Sequence, residues 1–267
     1  MKDKFKIFIE RKIEEKYKSK FLKIIYGFIY FDGIYDNEFA KANGILAVLS
    51  HFNLLRNKQI TNEFVKSRFN NLAHRYECAV TAGRYQVGEL DAIVSYVNSL
   101  SIENARILDL GCGTGLVGES LTLKSSFLIG IDLSESMLEI AKGKGIYNEL
   151  ICEDIKLYAE KNNTKFDVII ASSVMQFFND DDLLDLFCAI KRNLITDASV
   201  FVFTFDIGKS KTKLNHKLFF EHSISSIKKL TSQHFLNVKV RQIDFGRNEG
   251  SKEVNCGISI CQNGRTP

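Results

Sequence analysis

The spacing of apolar residues along the chain changes near residue 104. Before this point apolar residues recur at helical intervals, and one such stripe comprises Leu90, Ile93, Val94, Val97 and Leu100. After it, short apolar runs of four to seven residues alternate with longer amphipathic stretches. Strands that alternate with helices predict an α/β fold, in which helices cover both faces of a doubly wound, mostly parallel seven-stranded sheet.

The pattern predicts individual elements. Strands are predicted at residues 105–110, 127–131, 150–152, 166–171, 200–205, 235–243 and 255–261. Helices are predicted at residues 38–51, 117–123, 134–142, 180–194 and 223–234, with two more between residues 61 and 100. Thr61 is a suitable N-cap for the first of those two helices, because its hydroxyl can accept from a free backbone N–H.

Three regions follow from this pattern. Residues 1–60 are predicted to form a helical N-terminal extension, residues 61–100 helices that cap an active site, and residues 101–267 the sheet domain. The first 24 residues hold nine Lys and Arg against four Asp and Glu, whereas the whole chain has a net charge of +4. The extension is interpreted as packing on the main domain or, alternatively, as a lid, a homodimer contact or a surface for an acidic partner.

Composition narrows the class of protein. With 45% hydrophobic and 25% charged residues, the 267-residue chain is typical of a globular protein rather than a fibrous or disordered one. Lysines interrupt the apolar residues of the N-terminus, and no apolar run reaches 18 residues. We therefore expect a cytoplasmic protein without a membrane partner. A pI near 8.6 gives no reason to expect nucleic acid.

The six cysteines are dispersed and include no C-x-x-C pair, so we expect neither a metal site nor disulfides.

The strongest chemical signal is the segment Ile-Leu-Asp-Leu-Gly-Cys-Gly-Thr-Gly at residues 107–115, where a strand leads into a glycine-rich turn. Residues 113–118 also read G-x-G-x-x-G, which is typical of dinucleotide sites but weak when it stands alone. Asp109 lies inside the strand. A carboxylate there suits the amino group of a methionine moiety and repels a pyrophosphate. The spacing therefore favours S-adenosylmethionine over a nicotinamide cofactor.

Further acids follow the next two strands. Asp132 comes 17 residues after Gly115, where a carboxylate can accept from both ribose hydroxyls. Ser134 is predicted to cap the next helix, and Met137 can lie against a flat ring. Asp154 follows the third strand, where it can accept from an adenine amino group.

Together with residues 166–177, these motifs resemble the ordered motifs of class I S-adenosylmethionine-dependent methyltransferases, which have a Rossmann-like sheet. The resemblance covers roughly residues 100–206. It implies that Asp109 and the turn hold the methionine part, that Asp132 holds the ribose, and that Tyr76 lies near the carboxylate or sulfonium. The implied cofactor-binding set is Tyr76, Asp109, Gly111, Cys112, Gly113, Asp132, Leu133, Met137, Glu153, Asp154, Ile155 and Ala171.

Other matches are narrower. One further resemblance is to a bacterial group of predicted methyltransferases with a TPR-type N-terminus. It is carried by residues 115–119, residues 144–150, the helical set Phe69, Ala73 and Tyr76, and the pair His222-Ser223. Residues 69–77 also show weaker similarity to malonyl-carrier-protein methyltransferases. Residues 194–200 depart from the family, because the Pro-Gly-Gly turn that usually precedes the fifth strand is missing.

The sequence defines the methyl acceptor less closely than it defines the cofactor. Residues 171–174 read Ala-Ser-Ser-Val, which disfavours adenine-N6 and glutamine-amide acceptors. Candidate bases or orienting groups are His222, His74, Tyr85 and Gln176. Lysines between residues 209 and 217 are interpreted as a solvated loop or, alternatively, as a basic rim for an anionic substrate. We expect transfer to O or N of a small molecule, with a protein or acyl-carrier-protein methyltransferase and a non-catalytic binding module as alternatives.

Overall fold

A computed structural model describes residues 60–81, 87–122, 125–209, 211–215, 219–243, 247–249 and 252–264. All of them belong to the second of the two units into which the chain divides, residues 56–267. The predicted extension and its helix at residues 38–51 lie outside the described residues, as does Tyr85.

The described elements follow the predicted alternation. Helices are α1 (Asn62–Thr81), α2 (Val87–Asn98), α3 (Leu116–Ser120), α4 (Glu135–Lys144), α5 (Ile155–Lys161), α6 (Asp180–Arg192) and α7 (Ile224–Thr231), with a 3₁₀ turn at Met175–Phe177. Strands are β1 (Ala105–Leu110), β2 (Ser125–Asp132), β3 (Glu149–Cys152), β4 (Val168–Ala171), β5 (Val200–Asp206), β6 (Lys213–Leu214), β7 (Phe220–Glu221), β8 (Asn237–Gln242), β9 (Arg247–Glu249), β10 (Lys252–Val254) and β11 (Cys256–Gln262).

Seven strands form one sheet in the order β3-β2-β1-β4-β5-β11-β8. The first five pair in parallel, and β11 runs antiparallel to both of its neighbours. This arrangement confirms the predicted doubly wound, mostly parallel sheet. Because the sheet order reverses direction between β1 and β4, the turns after these strands diverge and leave a crevice at the carboxyl edge.

Both faces of the central strands β1, β4 and β5 are buried, which is why these strands read as continuous apolar runs. Alternate residues of a strand point to opposite faces. In β1, Leu108 and Leu110 join the core beneath α5, α6 and α7, whereas Ile107 joins the core beneath α2 and α3. Aromatic rings fill the first of these cores, and Phe203 stacks on Phe201 at 4.9 Å between ring centroids.

Several short elements were not predicted. The helix α5 is only seven residues long, and the side chain of Asp154 caps it by accepting from the Leu157 N–H at 2.9 Å. The strand predicted at residues 166–171 begins at Val168, because Phe166 makes only an isolated bridge to Leu194. Part of the lysine-rich stretch forms a hairpin, in which β6 pairs with β7.

The turn that lacks Pro-Gly-Gly is closed by side chains instead. The backbone N–H of Thr196 donates to Ser199 Oγ at 3.1 Å, and the Ser199 N–H donates back to the Thr196 carbonyl at 3.2 Å. Two hydroxyl residues thus close the turn before β5.

Within the described ranges, no helix has both the length and the apolar character needed to cross a bilayer.

Replacing Phe203 by alanine is expected to lower the free energy of unfolding by about 3–5 kcal/mol, since a fully buried ring leaves a cavity. Urea denaturation measures the change. Leu236→Ala is the control, because this side chain is 77% exposed and its loss should change stability by less than about 0.5 kcal/mol. Equal losses in the two variants would contradict the assigned core.

Candidate functional site

A cavity of about 530 Å³ opens at the carboxyl edge of the sheet. The turns after β1, β2, β3 and β4 form its floor, and α1 forms one wall. The residues that line the cavity include Val65, Phe69, Tyr76, Gly111, Gly113, Asp132, Leu133, Met137, Asp154, Ile155, Ser172, Ser173, Val174 and Phe177.

The turn after β1 contains glycines whose backbone conformation other residues would adopt only with strain. Gly111 and Gly113 both have positive φ, at 70° and 55°. A Cβ on Gly111 would lie 2.4 Å from Val174 Cγ2, whereas a Cβ on Gly113 would meet no atom within 4 Å. The open space beside Gly113 is part of the cavity, so a ligand can approach this backbone closely.

Asp132, at the end of β2, is the best-anchored acid in the cavity wall. Its Oδ2 accepts from the Gly113 N–H at 2.9 Å, and its Oδ1 accepts from the Ser134 N–H at 2.8 Å. Burial raises the pKa of Asp132 to about 6, against the opposing effect of these backbone hydrogen bonds. Each oxygen keeps a second lone pair with which to accept from a ligand.

Asp109 lies beneath the turn rather than in the cavity. It is 1% exposed, and its Oδ2 accepts from the Tyr147 hydroxyl at 2.7 Å. Burial raises the pKa of Asp109 to about 7, the Tyr147 hydrogen bond lowers it, and the charge of Asp132 raises it. The predicted direct contact of Asp109 with a methionine amino group is therefore not supported by its position.

The far end of the cavity combines apolar and charged side chains. Leu133, Met137 and Ile155 line it, and Asp154 stands at the start of α5 with Oδ1 engaged in the helix cap. This end is suited to a planar ring with one polar edge. Lys156 closes it through an ion pair with Asp182 of α6 at 2.7 Å.

The opposite end carries a row of aromatic rings. Phe69 of α1 contacts Tyr76 and Phe177 edge to face, at 6.4 and 5.6 Å between ring centroids. Phe177 in turn contacts Phe219 beside the β6–β7 hairpin at 5.4 Å. The sequence marked Phe69 and Tyr76, but it did not show that three chain segments bring these rings together.

The three candidate catalytic residues within the described ranges, His222, Gln176 and His74, do not line the cavity. His222 is fully buried, with Nδ1 3.1 Å from Thr212 Oγ1 and 3.4 Å from Asp180 Oδ1. Gln176 is buried without lining the cavity, and His74 is exposed on α1. These placements give no support for direct roles in catalysis.

Three of the predicted cofactor residues also lie off the cavity wall. Cys112 and Ala171 are buried behind it, and Glu153 makes an ion pair with Lys161 at 3.9 Å. Their side chains give no direct contact with a ligand in the cavity.

Among the described residues, Glu89, Asp206 and Cys256 form one buried group whose ligand atoms lie within 4.8 Å of one another. None of the three lines the cavity.

Comparisons with known proteins agree with this geometry. Residues 107–197 match a family model described as a methyltransferase domain. The chain is 33% identical over 128 residues to a malonyl-[acyl-carrier protein] O-methyltransferase of Bacillus cereus, covering 45% of each chain. It is 29% identical over 94 residues to a ubiquinone biosynthesis O-methyltransferase of Coxiella burnetii, covering 34% of this chain and 40% of the relative. The matches thus span less than half the length of these relatives.

The fold also matches a solved structure. Magnesium protoporphyrin IX methyltransferase from Synechocystis with bound S-adenosylmethionine superposes with a TM-score of 0.51 and 14% sequence identity. The match covers 82% of this chain and 96% of that one. The described part of the chain therefore has the fold of the class I S-adenosylmethionine-dependent methyltransferases, and it contains a methyltransferase domain.

The buried Asp109 carboxyl predicts how stability depends on pH. Its pKa is about 7 in the folded protein against 3.8 for an unperturbed carboxyl, so the folded state binds more protons between these values. The free energy of unfolding should then fall as pH rises from about 4 to 7, by at most roughly 1.4 kcal/mol per pH unit.

Denaturation at several pH values tests this, and Asp109→Asn should show a weaker dependence than the wild type. Asp181→Asn is the control, since Asp181 is exposed and should leave the slope unchanged. An unaltered slope in Asp109→Asn would assign the titration to another group.

Proposed function

We propose that this protein transfers a methyl group from S-adenosylmethionine to an oxygen or nitrogen of a small-molecule acceptor. The observation that carries the proposal is the half-buried Asp132 carboxylate, which stands in the cavity wall together with Gly111 and Gly113 of the glycine turn and with the apolar side chains of Met137 and Ile155. Backbone N–H groups hold both of its oxygens, so the acid is already oriented toward a ligand before one binds.

The residues present fit the cofactor. The backbone of Gly111 and Gly113 would border the methionine part, where the space beside Gly113 admits close approach. Asp132 would accept from the ribose hydroxyls. The side chains of Met137 and Ile155 would enclose the adenine ring.

S-adenosylmethionine supplies an electrophilic methyl group on a positively charged sulfur. The chain then has to hold the acceptor in line and exclude water, which requires no covalent intermediate. Helix α1 covers the cavity with Val65, Phe69 and Tyr76. A wall of this kind favours an acceptor with an apolar or aromatic body, because its burial beside the rings is favourable.

Few side chains beside the aromatic rings of the cavity are candidates for removing a proton from the acceptor. Of the described cavity residues beside Phe177, Tyr76 carries the ionisable side chain, and Ser172 and Ser173 carry hydroxyls. These groups can orient an acceptor through hydrogen bonds. The proposal therefore assigns to the chain a positioning role, and the proton of the acceptor would pass to solvent water once the methyl group has been transferred.

Carboxyl O-methylation of a carrier-bound substrate is the second candidate. The similarity to a malonyl-[acyl-carrier protein] O-methyltransferase, at 33% identity, favours it over other macromolecular acceptors. The cytoplasmic location, the lack of a nucleic acid partner and a homodimer formed through residues 1–60 stay predictions from the sequence.

Replacing Asp132 by alanine is expected to weaken binding of S-adenosylhomocysteine by at least about a hundredfold, because two charge-assisted hydrogen bonds to the ribose are lost. Isothermal titration calorimetry measures the dissociation constant. Asp181→Ala is the matched control on an exposed helix end and should bind like the wild type. Unchanged binding by Asp132→Ala would remove the ribose assignment.

The acceptor class is tested with methyl-labelled S-adenosylmethionine and a lysate separated into small molecules, protein and nucleic acid. Label in the small-molecule fraction that is absent with Asp132→Ala would support the main proposal. Label in protein would favour the carrier-bound alternative. Cofactor binding without labelling of any fraction would contradict the proposed transfer and leave a binding module.

A further inference from the structure

Asn70 links helix α1 to the turn that follows β2. Its Oδ1 accepts from Ser134 Oγ at 2.7 Å and from the Ser136 N–H at 3.3 Å. Both donors belong to the first turn of α4 and its cap, and Ser134 is fully buried. A side chain 64 residues away in sequence thus holds the start of this helix.

The orientation of these hydrogen bonds is fixed by the donors. A backbone N–H can only donate, so the atom of Asn70 that faces Ser136 has to be the carbonyl oxygen. Ser134 Oγ accepts from the Met137 N–H at 3.2 Å, and its own hydrogen is then directed to Asn70. Each hydrogen bond in the cluster therefore has a fixed direction.

The same turn holds Asp132. The Ser134 N–H donates to Asp132 Oδ1, and the other carboxylate oxygen is held by the glycine turn. A connected series of hydrogen bonds therefore runs from Asn70 through Ser134 and Asp132 to Gly113. It joins the helix that covers the cavity to the carboxylate that stands in its wall.

We propose that Asn70 is a positioning residue for the cofactor, acting through Ser134 on the carboxylate of Asp132. The inference rests on the proposed function, since it takes Asp132 to bind the ribose. Without the Asn70 oxygen, the buried Ser134 hydroxyl loses its acceptor and the turn shifts to find another. A small rotation of Asp132 then misaligns its free lone pairs with two ribose hydroxyls.

Asn70 could instead have a merely structural role, in which it only holds α1 against α4. A second contact between these two helices provides a control that distinguishes the two roles. Lys66 lies one helical turn before Asn70 and forms an ion pair with Glu135 of α4 at 2.9 Å. This pair joins the same two helices, but it does not touch Ser134 or Asp132. Lys66→Ala therefore removes a helix contact and leaves the series of hydrogen bonds intact.

The experiment compares three variants of the full chain: Asn70→Ala, Asn70→Asp and Lys66→Ala. Calorimetry with S-adenosylhomocysteine gives the dissociation constant, and thermal unfolding without ligand gives stability. Asn70→Ala is expected to bind roughly five- to tenfold more weakly, which corresponds to the loss of about one buried hydrogen bond. Asn70→Asp keeps an acceptor oxygen beside the N-terminus of α4 and should bind within about twofold of the wild type. Lys66→Ala should also bind within about twofold.

Three outcomes would overturn the proposal while leaving the proposed function standing: wild-type affinity in Asn70→Ala, equal weakening in Lys66→Ala, or no recovery in Asn70→Asp. If Asn70→Ala unfolds, Asn70→Asp and Lys66→Ala still decide the question, since weak binding by folded Asn70→Asp contradicts the acceptor role. Failure of the proposed function is recognised separately, because the wild type itself would then not bind the ligand.

Discussion

The hydrogen bonds of the Asp132 carboxylate are the interaction on which the site depends. Parallel strands bring their carboxyl ends to one edge. The N–H groups of Gly111 and Cys112 donate to the Ile131 carbonyl there, but those of Gly113 and Ser134 still need acceptors. Asp132 supplies them, because it accepts from the turn after β1 and from the turn that follows its own strand. One side chain thereby fixes both the glycine backbone and the start of α4, and these border the cavity on two sides.

Asp109 lies inside the buried sheet, so its environment differs from that of Asp132. A strand covered on both faces offers no water to a carboxylate, so burial favours its neutral form and raises its pKa to about 7. The Tyr147 hydroxyl supplies a hydrogen bond that partly offsets this cost. Asp132, only one strand away, stands at the cavity, where burial also raises its pKa but backbone hydrogen bonds oppose the increase. The two acids in adjacent motifs thus do different work, one inside the core and one facing a ligand.

The sequence predicted those features that depend on neighbouring residues. Strand β1 has its predicted bounds, and Ser134 caps α4 as expected, because apolar periodicity and capping are local. The pairings of Tyr147 with Asp109 and of Asn70 with Ser134 could not be predicted in this way. Their partners lie 38 and 64 residues apart, and only the folded chain brings them together. The position of His222 could not be predicted for the same reason, since its burial beside Thr212 depends on a hairpin formed by part of the lysine-rich stretch.

This difference between local and distant contacts also separates the two halves of the cavity. The half proposed to hold the cofactor consists of turns and backbone groups at strand ends, which leave a recognisable pattern in this sequence. The half proposed to hold the acceptor consists of side chains from α1, from the segment after β4 and from beside the β6–β7 hairpin, which meet through aromatic contacts. Such contacts require only bulk and shape, so many sequences can provide them. The fold can therefore keep one cofactor geometry while the acceptor changes, and α1 is the element where that specificity would be set.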